Sequence, residues 1–213
     1  MRTLFIDSSK KSLSVALAAT NKLLLVSNVD SCSKHSNFLM KEIISVLDKC
    51  NVKKEELDNI VVLNGPGSFT GIRVGVTIAK TLAWALSKKI YVLSNLEAIK
   101  ETVIDDVIIS IIYDKEKASY VGIYANNIKE EEYLDIDSDK LTFVNKNISI
   151  VSFDNNLFVQ NLYDNLKINN NVKVNIINDY NYLNVINKAL ENNNINPHLV
   201  EPIYLKKIDA EKK

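Results

Sequence analysis

Asp7 closes an apolar run and is followed by Ser8, Ser9, Lys10 and Lys11, an acid and two hydroxyls ahead of two cations. Further on, residues 64–75 read Asn-Gly-Pro-Gly-Ser-Phe-Thr-Gly-Ile-Arg-Val-Gly and hold four of the 5 glycines in the chain. Gly65 and Gly67 suit a turn that needs positive φ, Pro66 stiffens it, and Ser68 or Thr70 can cap a following helix. As a phosphate loop the segment is incomplete: it lacks a Gly-Lys-Ser/Thr ending and is spaced GxGxxxG instead of GxGxxG. Amides at a helix start can still hold an anion, so Asp7, Gly65, Gly67 and Ser68 are the candidate nucleotide or anion residues, against a plain turn.

Other chemistries find fewer residues. His35 and His198 are the only histidines, and Cys32 and Cys50 form no CxxC, so no metal and no cofactor are expected. A serine-hydrolase reading of Ser68 lacks the GxSxG elbow, and Cys32 would need a base that only the fold can bring to it. No residue is assigned to bond making.

These residues need elements to position them. Residues 3–7, 12–19 and 22–29 read as strands, followed by a helix over 36–51 with Phe38, Leu39, Ile43, Ile44 and Leu47 at helical spacing. A buried strand at 60–63, a long helix over 68–87 and a strand at 90–93 follow. Strands at 107–113, 120–125, 148–153 and 172–177, and helices at 157–166 and 182–190, are expected in the second half. The acidic run 130–132 is read as a solvated edge or loop, and no internal repeat is visible. The pattern predicts an α/β protein with mixed sheets and packed helices.

Composition bounds the partners. Lys plus Arg and Asp plus Glu are 26 each, which leaves no basic excess to attract nucleic acid by itself. Residues 1–7 enter an apolar strand pattern directly, with no basic n-region, and no stretch reaches the roughly 20 apolar residues of a membrane span. A reduced, cytoplasmic protein is expected. Asparagine is abundant, 27 in all with 18 from Asn145 onward, and is read as a compositional bias.

Within the 68–87 helix, Gly71, Gly75, Ala79 and Ala83 recur every four residues and form one stripe of small side chains. Helix-interior glycine costs about 1 kcal/mol against alanine, so another backbone must come close. It belongs either to a partner or to a neighbour within the chain, such as the 38–47 helix.

Ile6-Asp7-Ser8-Ser9, Lys34-His35-Ser36, the stretch from Gly65 to Gly75, Leu93-Ser94-Asn95-Leu96-Glu97-Ala98 and Glu201-Pro202-Ile203-Tyr204-Leu205 together resemble the TsaB (YeaZ) family. The match is dense to about residue 100 and thin beyond it. The resemblance implies an actin/hexokinase-like (ASKHA) α/β fold of two subdomains, each a mixed sheet flanked by helices. On this reading 1–103 is the N-terminal subdomain with the partner-binding helices, and 104–213 a divergent C-terminal one whose end, about 197–213, packs back on the body.

The function it implies is a non-catalytic scaffold in the making of tRNA threonylcarbamoyladenosine. Its partners would be a TsaD-like catalytic subunit and a TsaE-like ATPase, with a homodimer when TsaD is absent, and tRNA would be met only through the complex. By position, the partner-binding residues would be His35, Phe38, Leu39, Phe69, Ile72, Arg73, Gly75, Val76 and Ala79. Catalytic relatives carry a HxExH metal motif where this chain has Asn95-Leu96-Glu97-Ala98-Ile99, so both ligand histidines are replaced. Actin-like ATPases also place a glycine-containing turn after the acid, where this chain has Ser8, Ser9, Lys10 and Lys11. The rival readings are an actin-like nucleotide-binding protein, ATPase or kinase, and a simple homodimeric binding module.

Overall fold

The computed structural model describes residues 1–30, 35–115, 117–126, 128–136 and 141–206, with 35–37 described by backbone alone. Two compact units result. Of the described residues, the first holds those within 1–95 and 181–203, and the second those within 96–180 and 204–206. The chain therefore passes between units more often than a single boundary near 103 would require.

In the first unit, β1 (Arg2–Asp7), β2 (Ser12–Ala19), β3 (Lys22–Asp30), β4 (Asn59–Leu63) and β5 (Lys89–Leu93) form one sheet in the order β3-β2-β1-β4-β5. β1 is antiparallel to β2 and parallel to β4, which in turn is parallel to β5. Alternate residues divide the sheet faces. Leu4, Ile6, Val15, Leu17, Ile60 and Val62 share one core with α1 (His35–Lys49) and α2 (Phe69–Ala85). On the other face Phe5 meets Tyr182 of α5 (Tyr182–Glu191) edge-on, with ring centroids 5.4 Å apart.

In the second unit, β6 (Val107–Lys115), β7 (Ala118–Ala125), β8 (Ile128–Asp135), β9 (Asn147–Ser152) and β10 (Asn171–Ile176) take the order β10-β9-β6-β7-β8. Strand directions match the first sheet: β6 is antiparallel to β7, and β6, β9 and β10 are mutually parallel. One hairpin-plus-crossover plan is thus used twice, a repeat that side-chain similarity does not reveal. The core lies between this sheet and α4 (Leu157–Leu166), whose Phe158, Val159, Leu162 and Leu166 are buried. α3 (Asn95–Lys100) is a short helix that the sequence reading lacks, and the acidic run lies on a full edge strand, β8. Charged side chains on an edge strand discourage pairing with other chains.

A polar knot anchors residue 206 to this second sheet. Lys206 Nζ lies 2.8 Å from Asp114 Oδ2, Tyr133 donates its hydroxyl to the same oxygen at 2.7 Å, and the Tyr120 ring packs tilted against Tyr133 with centroids 5.1 Å apart. Tyr133 is pushed up to about 12, first by burial and then by its bond to Asp114. Burial pulls Asp114 upward, but the hydrogen bonds from Lys206 and Tyr133 outweigh it and hold the carboxyl below its usual range. Bonding to Asp114 raises Lys206.

Signs follow from linkage. The raised Tyr133 and Lys206 contribute stability in full below about pH 10, and it is lost as pH climbs through their folded values. The depressed Asp114 contributes above about pH 4, and its share disappears as pH falls through its folded value. Asp114→Asn should therefore bring the Tyr133 titration, followed by NMR of ring-labelled tyrosine, down from about 12 toward the ordinary phenol value near 10. An unchanged titration would remove Asp114 from the knot.

Candidate functional site

The carboxyl ends of the parallel strands β1, β4 and β5 come together, the usual place for a site in an α/β sheet. Asp7 ends β1 and is fully buried. Ser9 donates to its Oδ1 twice, from the backbone nitrogen at 2.9 Å and from the hydroxyl at 2.6 Å. Asn95, also fully buried, donates from Nδ2 to Ser9 Oγ at 2.6 Å and reaches Asp7 Oδ1 at 3.4 Å. Its Oδ1 accepts from Gly65 N at 2.9 Å, while its own backbone nitrogen donates to Gly65 O at 2.8 Å. One asparagine thus ties three strand ends together.

The glycine loop is shaped by this contact. Gly65 at φ 117 and Gly67 at φ 157 occupy backbone space that side chains rarely enter. A β-carbon on Gly67 would lie 2.8 Å from Ser9 Cβ and 2.9 Å from Ser9 O. Ser68 donates its backbone nitrogen to Ser9 O at 2.8 Å and caps α2, accepting Gly71 N on Oγ at 3.3 Å.

Asp7, Gly65, Gly67 and Ser68, singled out from sequence, are therefore brought together by the fold. The Gly65 and Ser68 amides, however, are engaged by Asn95 and Ser9. Asp7 Oδ2 is a buried oxygen without a hydrogen-bond partner. Among the described residues, no three of His, Cys, Asp or Glu gather to hold a metal ion.

The small-residue stripe has an internal neighbour. β-Carbons on Gly71 and Gly75 would overlap the Ser8 carbonyl oxygen and hydroxyl respectively, and Ser8 donates that hydroxyl to Gly71 O at 2.8 Å. At these two glycines the close approach is made by the turn after β1. Burial divides the candidate partner residues into two sets. Leu39, Ile72, Gly75, Val76 and Ala79 lie inside the first unit's own core, where they position the helices without reaching outward. Phe38 and Phe69 are exposed, and Arg73 stacks its guanidinium 3.8 Å over the Phe69 ring. His35 opens α1, and its side chain lies outside the described residues, as does Cys32.

Sequence reasoning missed the other outward apolar residues. Met40 and Ile44, one turn apart on α1, are 37% and 51% exposed, and Trp84 near the end of α2 is 64% exposed beside His198. The signal was present: α1 has more apolar positions than the buried stripe Leu39, Ile43, Val46 and Leu47 requires. No described helix is long and apolar enough to cross a membrane, so these residues do not belong to a helical span.

A family model described as TsaD, tRNA N6-adenosine threonylcarbamoyltransferase, matches residues 30–130. The tRNA threonylcarbamoyladenosine biosynthesis protein TsaB of Bacillus subtilis (strain 168) is 37% identical over 126 residues, covering 58% of this chain and 55% of that protein. The protein of the same name from Buchnera aphidicola subsp. Acyrthosiphon pisum is 30% identical over 130 residues, 58% of each. The chain thus spans a little over half the length of the curated relatives it matches. A Pseudomonas aeruginosa crystal structure, described as an uncharacterized protein with similarity to peptidase YeaZ, superposes with TM-score 0.79 over 96% of this chain and 99% of that one. At 17% identity that likeness shows the fold. The two five-stranded units with their shared plan fit the two-subdomain, actin-like α/β fold, and the likeness to the curated TsaB proteins and to the YeaZ structures supports the TsaB (YeaZ) family for this chain.

Proposed function

We propose that this chain is a non-catalytic, cytoplasmic subunit of the assembly that makes threonylcarbamoyladenosine in tRNA. It binds and stabilises a TsaD-like catalytic subunit through the outward faces of α1 and α2 and supports a TsaE-like ATPase. It meets tRNA only through the assembly and self-associates by the same helices when TsaD is absent. The names of the matched relatives support the pathway. The observation that carries the binding role is the set of large apolar side chains held in water by these helices, Phe38, Met40, Ile44, Phe69 and Trp84. Exposed aromatic and aliphatic groups on a rigid, well-packed frame are what a partner surface needs.

Hydrogen exchange tests it. Mixing with the TsaD-like protein of the same organism should slow exchange in α1 and α2 while the β6–β10 sheet keeps its free rates. A footprint that avoids both helices would contradict the proposal.

A nucleotide-binding reading draws on the buried, partnerless Asp7 Oδ2. Against it stands the engagement of the loop amides by Ser9 and Asn95. Calorimetric titration of the isolated chain with ATP and Mg²⁺ separates the two readings.

A further inference from the structure

Of the 27 asparagines, Asn64 alone precedes a glycine. Asparagine loses its side-chain amide without an enzyme when the next backbone nitrogen attacks its Cγ, and glycine, lacking a β-carbon, obstructs that attack least. Most other asparagines here precede a bulky residue, another asparagine or lysine, so this chemistry concentrates on one dipeptide. That dipeptide is the start of the glycine loop.

The native structure restrains both reacting groups. The nucleophile, Gly65 N, donates its proton to Asn95 Oδ1 at 2.9 Å. The leaving group, Asn64 Nδ2, donates to Glu201 O at 3.0 Å. The backbone on either side is fixed as well: Asn64 N donates to Leu93 O at 3.2 Å, and Asn64 O accepts from Ile203 N at 2.7 Å. Asn64 is 5% exposed, and its Oδ1 has no hydrogen-bond partner to polarise the amide carbon. To react, the pair must leave both the Asn95 clamp and the 201–203 segment.

We infer that Asn64-Gly65 is a spontaneous deamidation site gated by Asn95 and the 201–203 segment. In the open loop Gly65 N gives up its proton and bonds to Asn64 Cγ. The Cγ–Nδ2 bond breaks and ammonia leaves with that proton. The resulting five-membered imide takes up one water and opens to aspartate or isoaspartate at position 64. No electron changes hands, and water is the only co-reactant.

The product carries a carboxylate where the folded loop holds a neutral, buried amide, and an isoaspartate also lengthens the backbone by one atom. An unpaired charge there opposes reclosure, so an opening of the loop is recorded covalently. This inference is independent of the partner-binding reading.

The test uses the full chain in mildly alkaline buffer, native and in denaturant, with peptide mapping of the one-dalton gain and of isoaspartate at position 64. If opening governs the rate, the native wild type should react at least about a hundredfold slower than its own denatured form, and Asn95→Ala should gain at least about tenfold over native wild type. Hydrogen exchange at Gly65 is read on the same samples. A native rate equal to the denatured rate would overturn the inference. So would an Asn95→Ala protein whose Gly65 amide exchanges faster while Asn64 stays intact. Should Asn95→Ala fail to fold, the native-to-denatured ratio of the wild type still decides.

Discussion

Gly71→Ala should destabilise the first unit by about 2–4 kcal/mol, read as a lower denaturant midpoint. The added β-carbon overlaps the carbonyl oxygen of Ser8, a backbone atom that cannot rotate away. Ser8 directly follows β1, which is paired on both sides, and its hydroxyl already bonds to Gly71 O, so turn and helix would have to separate. Gly75→Ala is the informative comparison. Its β-carbon clashes with the Ser8 hydroxyl, a side-chain group that can turn at the cost of its bond to Gly71 O, and the helix gains about 1 kcal/mol of propensity. A large loss is expected for Gly71→Ala and a small change for Gly75→Ala, and the reverse order would show that Ser8 is not the neighbour that dictates the glycines.

Met40→Lys combined with Ile44→Lys should leave stability within about 1 kcal/mol of wild type while weakening the complex with a TsaD-like partner at least about a hundredfold. Both side chains already face water in the isolated chain, so little buried area is lost on substitution. In the proposed complex two ammonium groups would have to be desolvated against an apolar surface, which costs far more than the lost contacts. Leu39 and Ile43 each directly precede one of these positions on α1 but point into the core, so lysine there would unfold the unit and say nothing about binding.

Much of the fold is legible in the residues. The 157–166 helix matches α4, and the long helix over 68–87 frays only slightly to Phe69–Ala85, with Ser68 as its cap. β8 hid because Glu130, Glu131 and Glu132 read as solvent-facing, and an edge strand can be both regular and solvated. The repeat of topology hid because it is carried by strand order, not by like residues. At the site, glycine spacing announced a close approach but could not name Ser8, which lies far away in sequence. Asn95 stood out only as a missing histidine. That it ties Asp7, Ser9 and Gly65 depends on three strand ends meeting, which no local pattern encodes. Likewise, the apolar faces of α1 and α2 could be counted from sequence, but which side meets the sheet had to be seen.

In the proposed function the outer faces of α1 and α2 bind a TsaD-like subunit. The most direct measurement is solution mass by light scattering after mixing the wild type, and separately the Met40→Lys/Ile44→Lys protein, with that partner at micromolar concentration. A one-to-one heterodimer with the wild type and separate masses with the variant are the predicted result. Full complex formation by the variant would move the interface elsewhere, and no complex with a well-folded wild type would contradict the partner-binding function itself.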